Sequence, residues 1–181
     1  YMGYTYDKKI LVPFGEYFPL PKLADVFFSE NLFFKNELTG GNNDQIFSSN
    51  ISPLICYEVI FPTFVRKSIS KNTNLLVNIS NDAWFGDSHG PHQHMQIARM
   101  RSQELGLPLL RVTNNGITAV YDPLNDIQES SKQFETNVLK TRFNKISGST
   151  FYSRYGDMPL WIALITPVSY THLRAHETNS H

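Results

Sequence analysis

The sequence predicts an α/β layered domain built on a mixed β-sheet, and two observations support this. Short apolar segments of strand type alternate with segments of helical type between residues 51 and 105. Two further strand-like segments then follow each other across residues 113–116 (Thr-Asn-Asn-Gly), a turn of the kind that joins hairpins. Alternation of strands and helices favours a layered α/β fold, and the hairpin adds an antiparallel pair to the sheet.

The first fifty residues contain two predicted strands and one long irregular stretch. Residues 1–6 and 10–14 read as strands, the second running into Gly15-Glu16. Residues 17–50 are rich in Phe, carry two prolines and contain a Gly-Gly loop. Such a long insertion is typical of a lid or surface arm rather than of core.

The later elements have clearer limits. A proline at position 62 opens the first predicted helix, and Gly106 stands where a glycine is favoured after a helix C-terminus. The predicted strands are 51–55, 75–79, 109–112 and 117–121, and the predicted helices are 62–69 and 91–105.

Size, charge and cysteine content exclude several classes of protein. With 181 residues, of which 41% are hydrophobic, the chain can bury the core of one globular domain. Sixteen basic and sixteen acidic side chains cancel without a basic stripe, so we expect no nucleic-acid partner. One cysteine excludes an internal disulfide framework and leaves the compartment open.

That single cysteine, Cys56, lies where a nucleophile is commonly found. It follows the apolar strand 51–55 and precedes the helix at Pro62. A strand-to-helix elbow presents a side chain at the edge of the sheet, and a nearby helix N-terminus favours the reactive thiolate. The alternative is that Cys56 is a small buried hydrophobe, as most lone cysteines are.

Five ordered blocks of sequence resemble the nitrilase, or carbon–nitrogen hydrolase, superfamily. Within it they resemble the branch that N-acylates bacterial lipoproteins. The blocks are YDKKILVPFGEY (6–17), ICYE (55–58) followed by FP (61–62), NISNDAWFG (78–86), GPHQH (90–94) and RVTNNGITA (111–119). Any block alone is weak, but together they cover about residues 1–167. The resemblance implies a nitrilase-like αββα sandwich with mixed sheets, of which this chain is a part.

The resemblance also implies a Glu-Lys-Cys catalytic triad. Cys56 matches the nucleophile and Lys8 the lysine, whose ammonium favours thiolate and can hold an oxyanion. Glu16 matches a second, supporting glutamate, and the general-base glutamate of the family is expected upstream of this sequence. Lys9, the neighbour of Lys8, is expected to be a solvated surface lysine.

Five further residues are predicted to contact substrate: Tyr57, Glu58, Asn81, Trp84 and Phe85. The backbone N–H next to the nucleophile can donate to an oxyanion, and the aromatic pair after a buried strand could line an acyl-chain pocket. Two alternatives stay open. The tyrosine and glutamate could instead pack and cap the next helix, and the aromatic pair could be core or rim packing.

Three histidines lie within six residues: His89, His92 and His94. They suggest a zinc site, because imidazole is a common zinc ligand. The Gly-Pro between them indicates a loop entering a helix instead. We therefore expect no metal and no cofactor. Phosphate-loop, dinucleotide and Ser-His-Asp patterns are absent from the sequence.

The resemblance implies acyl transfer through a cysteine thioester. The donor would be a phospholipid and the acceptor the diacylglyceryl-cysteine amine of an apolipoprotein, at the periplasmic face of the bacterial inner membrane. Flanking membrane helices are expected outside this sequence. Two alternatives remain: a soluble nitrilase-type amidase acting on a small amide, and a catalytically inactive binding domain.

The chain divides into three expected parts. Residues 1–157 are the C-terminal part of a nitrilase-like catalytic domain. Residues 158–167 form a short apolar run that could only begin a membrane helix, since a span needs about 20 such residues. Residues 168–181 resemble a translated adapter and are expected to be non-native, the alternative being a genuine polar tail.

Overall fold

The computed structural model describes residues 5–19, 38–41, 50–124, 126–144, 146 and 149–166. Two 3-10 helices, Cys56–Ile60 and Asp82–Phe85, follow the first two strands. The other elements in chain order are β1 (Ile51–Ile55), α1 (Pro62–Ser68), β2 (Leu75–Ser80), α2 (Gly90–Leu105), β3 (Leu109–Thr113), β4 (Ala119–Asp122), β5 (Asp126–Ser130) and α3 (Phe151–Tyr155).

The five strands form one mixed sheet in the order β1-β2-β3-β4-β5. The first three strands run parallel, joined by crossovers through α1 and α2. The last two pair antiparallel, with Arg111 opposite Ala119 across the β3–β4 hairpin. The predicted α/β class, mixed sheet and hairpin are confirmed.

One face of the sheet packs against the helices and forms the core. Leu54, Leu76 and Leu109 point into it from β1, β2 and β3, and each is 0% exposed. They meet Met95 and Ala98 of α2 in one hydrophobic cluster. Burial of these side chains, at about 25 cal/mol per Å² of apolar surface, supplies the main free energy that holds α2 against the sheet.

The other face of the sheet remains apolar but exposed among the described residues. Ile51, Ile79 and Val112, one from each parallel strand, are 44%, 56% and 49% exposed. The described part of the chain therefore contains one sheet with helices on one side, which is half of an αββα arrangement.

The predicted strand at residues 10–14 is wrong. The segment makes only an isolated bridge between Pro13 and Tyr17, around a turn in which Phe14 has a φ of 61°. Pro13 has no N–H for a ladder, and the Val12 carbonyl is taken by the N–H groups of Gly15 and Glu16. Of the predicted strand 1–6, residues 5 and 6 are not in a strand and residues 1–4 lie outside the described part.

Four elements were not predicted: the two 3-10 helices, the edge strand β5 and the short helix α3. The sequence of β5, DIQES, is too polar to read as a strand, because it lies at the edge of the sheet. Most of the predicted lid, residues 20–37 and 42–49, falls outside the described residues.

The long helix α2 matches its prediction closely. It begins at Gly90, one residue early, with Pro91 in its first turn. It ends at Leu105, and Gly106, directly after it, has a φ of 66°, the left-handed conformation that glycine adopts without steric penalty.

Residues 158–166 are helical and expose most of their apolar side chains, among them Trp161 at 61% and Ile165 at 61%. Within the described residues, no helix combines the length and the hydropathy that crossing a membrane requires. Residues 167–181, which include the predicted adapter-derived tail, lie outside the described part.

Candidate active site

The candidate site lies at the carboxyl edge of the three parallel strands. Cys56 directly follows β1, Asp82 comes two residues after β2, and Asn114 follows β3. Parallel strands bring their carboxyl ends to one edge, which is where open α/β sheets commonly bind ligands. The Asp82 N–H donates to the side-chain oxygen of Asn114 at 3.1 Å, joining two of these strand ends.

Cys56 has an unusual backbone conformation. Its φ is 49°, in the left-handed region that a non-glycine residue rarely adopts, at a cost of about 1–3 kcal/mol. It is the first residue of the 3-10 helix, and its side chain is partly exposed. The thiol is therefore held at a sharp elbow and is not sealed in the interior.

The thiol lines a cavity of about 360 Å³. Most of the wall is apolar or aromatic, and Glu16 supplies the acidic group. The lining residues are Val12, Gly15, Glu16, Cys56, Tyr57, Ile60, Asn81, Trp84, Phe85, Gly90, Gln93, His94 and Ile97.

Lys8 and Glu16 form a bidentate ion pair. The Lys8 Nζ lies 2.6 Å from Glu16 Oε1 and 2.7 Å from Oε2, and only 12% of the lysine side chain is exposed. The Val12 N–H donates to Glu16 Oε2 at 2.8 Å. Glu16 lines the cavity of Cys56, so the lysine is tied to the wall of that cavity by its carboxylate partner.

Glu58 is fully buried and holds two chain segments together. Its carboxylate accepts the backbone N–H groups of Ile55 at 2.7 Å, Lys9 at 2.6 Å and Ile10 at 3.3 Å. The Tyr6 hydroxyl donates to it at 3.0 Å. Glu58 thus fixes the lysine-bearing segment against the turn that carries the thiol. Glu58 does not line the cavity. It caps the 3-10 helix that contains it, whereas the alternative drawn from the sequence had it capping the next helix.

Lys9 differs from its predicted role. It is half-buried, and its ammonium lies 5.8 Å from the centre of the Tyr6 ring.

Burial and the Glu58 carboxylate both raise the pKa of the Tyr6 hydroxyl, so the tyrosine side chain stays a neutral donor at physiological pH.

The other predicted contacts lie on the cavity wall. Tyr57 packs edge-on against Phe61, with ring centres 5.0 Å apart. Asn81 caps the second 3-10 helix by accepting from the Ala83 N–H at 3.1 Å. Trp84 and Phe85 are 73% and 42% exposed, which places apolar surface at the cavity mouth.

A buried polar network, not predicted from the sequence, underlies the site. Arg111 is 0% exposed and donates to Asp82 Oδ2 at 2.7 Å and to the side-chain oxygen of Asn78. Asp82 Oδ1 accepts from Ser80 at 2.7 Å and lies 3.1 Å from His94 Nδ1. A signal was present, because Asn78 and Arg111 interrupt apolar strands at positions that face the core.

The network sets the charge state of Asp82. Burial alone would raise the pKa of its carboxyl, but the hydrogen bond with His94, the charge of Arg111 and the Ser80 hydroxyl outweigh it. The pKa of Asp82 is therefore lowered, and the carboxylate is ionised at neutral pH.

The three histidines do not converge. His89 and His92 are exposed, with ring centres 6.4 Å apart, whereas His94 is buried against Asp82. In the part of the chain that the structure describes, no three metal-binding side chains cluster.

Curated relatives share a name. The chain is 42% identical over 175 residues to the apolipoprotein N-acyltransferase of Vibrio parahaemolyticus, a match covering 90% of this chain and 34% of the relative. The protein of the same name from Photobacterium profundum is 45% identical over 161 residues, covering 86% and 31%. The chain therefore spans about a third of the length of these relatives.

Solved structures show only distant likeness. A branch-10 nitrilase-superfamily protein from Saccharomyces cerevisiae aligns with a TM-score of 0.46 at 19% identity, covering 55% of this chain and 41% of the other. A carbon-nitrogen hydrolase from Helicobacter pylori gives 0.44 at 14% identity, covering 55% and 43%.

Residues 2–145 match the sequence profile of the carbon-nitrogen hydrolase family. This match takes in Lys8, Glu16 and Cys56, the three side chains around which the candidate site is built. Since it extends over most of the chain, the chain belongs to the carbon-nitrogen hydrolase family.

Proposed function

We propose that this chain carries the nucleophile of an N-acyltransferase that completes the maturation of bacterial lipoproteins. One observation carries the proposal: the partly exposed Cys56 thiol stands at a strained elbow in an apolar cavity whose acidic wall residue, Glu16, binds Lys8. The relatives named apolipoprotein N-acyltransferase supply the reaction class.

The first half-reaction would load the enzyme. The Cys56 thiolate attacks the ester carbonyl of a phospholipid, and the carbonyl oxygen becomes an oxyanion. The Tyr57 N–H, adjacent to the nucleophile, and the Lys8 ammonium are the groups we assign to that charge. Collapse of the tetrahedral intermediate breaks the ester C–O bond, and the lysophospholipid oxygen leaves with the proton that the general base first took from the Cys56 thiol.

The second half-reaction would unload it. The free α-amino group of a diacylglyceryl-cysteine attacks the thioester, an amide forms, and the Cys56 thiol is regenerated. Splitting the transfer in this way suits sulfur, which is a good nucleophile and later a good leaving group. The amine's proton passes to a base, a role we assign to a glutamate upstream of residue 1 by family resemblance.

The cavity fits an acyl chain better than a small amide. Trp84 and Phe85 of the wall expose 73% and 42% of their surface, and the wall also contains Ile60 and Ile97. Apolar surface on this scale, next to the thiol, favours a lipid donor. We assign Glu58 the role of a positioning residue. We also propose that the protein acts at the periplasmic face of the inner membrane.

Labelling with a phospholipid tests the proposal. The full-length protein is incubated with a phospholipid that carries a labelled acyl chain, and the peptide containing Cys56 is analysed. We expect a label on Cys56 that hydroxylamine releases and that an added diacylglyceryl-cysteine peptide removes as an amide.

The controls separate transferase from amidase. Cys56→Ala should take no label. If the wild-type protein takes no label from phospholipid and hydrolyses small amides instead, the acyltransferase proposal is wrong and the amidase alternative is correct.

A further inference from the structure

The carbonyl group of Cys56 has a buried partner that the reaction scheme above does not use. The Nε2 atom of His94 lies 3.3 Å from the Cys56 carbonyl oxygen. A carbonyl oxygen can only accept, so Nε2 must carry a hydrogen and donate it. His94 is 5% exposed and comes from α2, a different element from the strand that leads to Cys56.

The opposite side of the ring is held from the sheet. His94 Nδ1 lies 3.1 Å from Asp82 Oδ1 and 3.1 Å from Arg111 Nη2, so it donates to the carboxylate when both ring nitrogens carry a hydrogen and accepts from the guanidinium when only Nε2 does. Arg111 and Asp82 are both 0% exposed and joined by their own 2.7 Å ion pair. The Phe85 ring packs edge-on against the imidazole, with centres 5.9 Å apart. The orientation of the ring is therefore determined by groups that are themselves immobilised.

The backbone of Cys56 needs contacts on both sides to keep its conformation. Cys56 has a φ of 49°, which its own side chain disfavours, so surrounding contacts must maintain the conformation. Glu58 holds the peptide N–H one residue before it, at 2.7 Å. His94 holds the carbonyl after it. At 3.3 Å the contact of His94 with the carbonyl is longer than a typical N–H···O bond, so its strength depends on where the ring is placed.

We infer that His94 is a positioning residue for Cys56: its Nε2–H holds the carbonyl of the nucleophile, and the buried Asp82–Arg111 pair aims its ring. The inference rests on the proposed role of Cys56 as nucleophile. The buried network of Asp82, Arg111 and His94 then stabilises the backbone turn at Cys56 as well as the core.

Two amide substitutions separate positioning from mere packing. A Gln amide nitrogen is three bonds from Cβ, as Nε2 is, and an Asn amide nitrogen is two bonds away, as Nδ1 is. His94→Gln can still donate to the Cys56 carbonyl but loses the contact with Asp82. His94→Asn keeps a polar group toward Asp82 but cannot reach the carbonyl.

The measurement is the rate of Cys56 acylation by phospholipid in the full-length protein, together with KM and the unfolding temperature. We expect His94→Asn to lower the acylation rate constant about tenfold with little change in KM, as loss of one hydrogen bond predicts. His94→Gln should stay within about threefold of wild type. Each variant loses the contact made by one of the two ring nitrogens, so their unfolding temperatures should fall by similar amounts.

The outcomes distinguish this inference from the proposed function. If Cys56→Ala still transfers acyl chains, the proposed nucleophile is wrong. If Cys56 is required but the Asn and Gln variants acylate equally fast, or their rates follow their unfolding temperatures, His94 is structural only and the positioning inference is overturned.

Discussion

The Lys8 ammonium binds both carboxylate oxygens of Glu16, at 2.6 and 2.7 Å, across a turn in which Val12 adds its own N–H to the same carboxylate. A bidentate contact restricts the lysine side chain, which would otherwise sample many rotamers. Glu16 lines the cavity of Cys56, whereas Lys8 is not among the lining residues, so the cation is fixed to the cavity wall only through its carboxylate partner.

Removal of that cation should act on chemistry rather than on folding. Lys8→Ala is expected to slow thioester formation on Cys56 by about 10²–10³, the usual effect of losing a charged group that stabilises an oxyanion. The initial rate of label incorporation from phospholipid measures this. The matched control is Lys9→Ala, which keeps the backbone N–H that binds Glu58 and should remain within about threefold of wild type. Equal losses in both variants would contradict the assignment of Lys8.

Glu58 should matter mainly for stability. Glu58→Ala deprives three backbone N–H groups and the Tyr6 hydroxyl of their acceptor, which should lower the free energy of unfolding by roughly 2–4 kcal/mol. Urea denaturation measures this. Tyr6→Phe removes only one donor and should cost about 1 kcal/mol.

An exposed glutamate provides the control for that experiment. Glu135 makes only a 3.8 Å contact with Lys132 and keeps 54% of its side chain exposed. Glu135→Ala should change the free energy of unfolding by less than about 0.5 kcal/mol. A Glu58→Ala variant as stable as Glu135→Ala would refute the bridging role.

Acid should destabilise the protein partly through Asp82. The pKa of this carboxyl is lower in the folded chain than its ordinary value of 3.8, so the folded state releases its proton more readily than the unfolded state. The resulting stabilisation is fully present above the ordinary value and is lost as pH falls through the folded pKa.

Asp82→Asn should therefore lower stability at neutral pH, since it leaves Arg111 buried without its charge partner, and should weaken the further loss below about pH 4. The free energy of unfolding, measured from pH 7 to pH 3, tests both effects. Asp87→Asn, in the exposed loop that follows, should keep the wild-type pH dependence. If the free energy of unfolding of Asp82→Asn falls with pH as steeply as that of wild type, another carboxylate is responsible for the acid sensitivity.

Gly116 should tolerate no side chain. A Cβ added there would lie 2.3 Å from Asp82 Oδ2, closer than non-bonded atoms approach. Gly116→Ala is expected to lower the free energy of unfolding by about 1–3 kcal/mol and to displace the carboxylate from Arg111. Thermal unfolding checks the first effect. Gly15→Ala, whose Cβ would meet Val12 at an ordinary 3.4 Å, is the comparison and should cost less.

Regular elements were predictable where local signals agreed. The strand Ile51–Ile55 has an apolar pattern, and the helix Gly90–Leu105 has Pro91 in its first turn and Gly106 directly after its end. The strand expected at residues 10–14 failed because side chain and backbone of the same few residues satisfy each other locally, through the Glu16 carboxylate and the Val12 carbonyl. Local hydrogen bonding of this kind overrides β-propensity.

The sequence by itself determined the α/β class, the elbow at Cys56 and the eight-residue separation of Lys8 from Glu16, because propensity, turn residues and spacing are properties of neighbours along the chain. Only the tertiary structure decided that Glu58 and His94 hold the elbow from two sides, and that Asp82 and Arg111 lie beneath it. Apart from the local bond between Glu58 and Ile55, these partners are 12 to 49 residues apart in sequence, and burial makes each of them require a specific acceptor or donor.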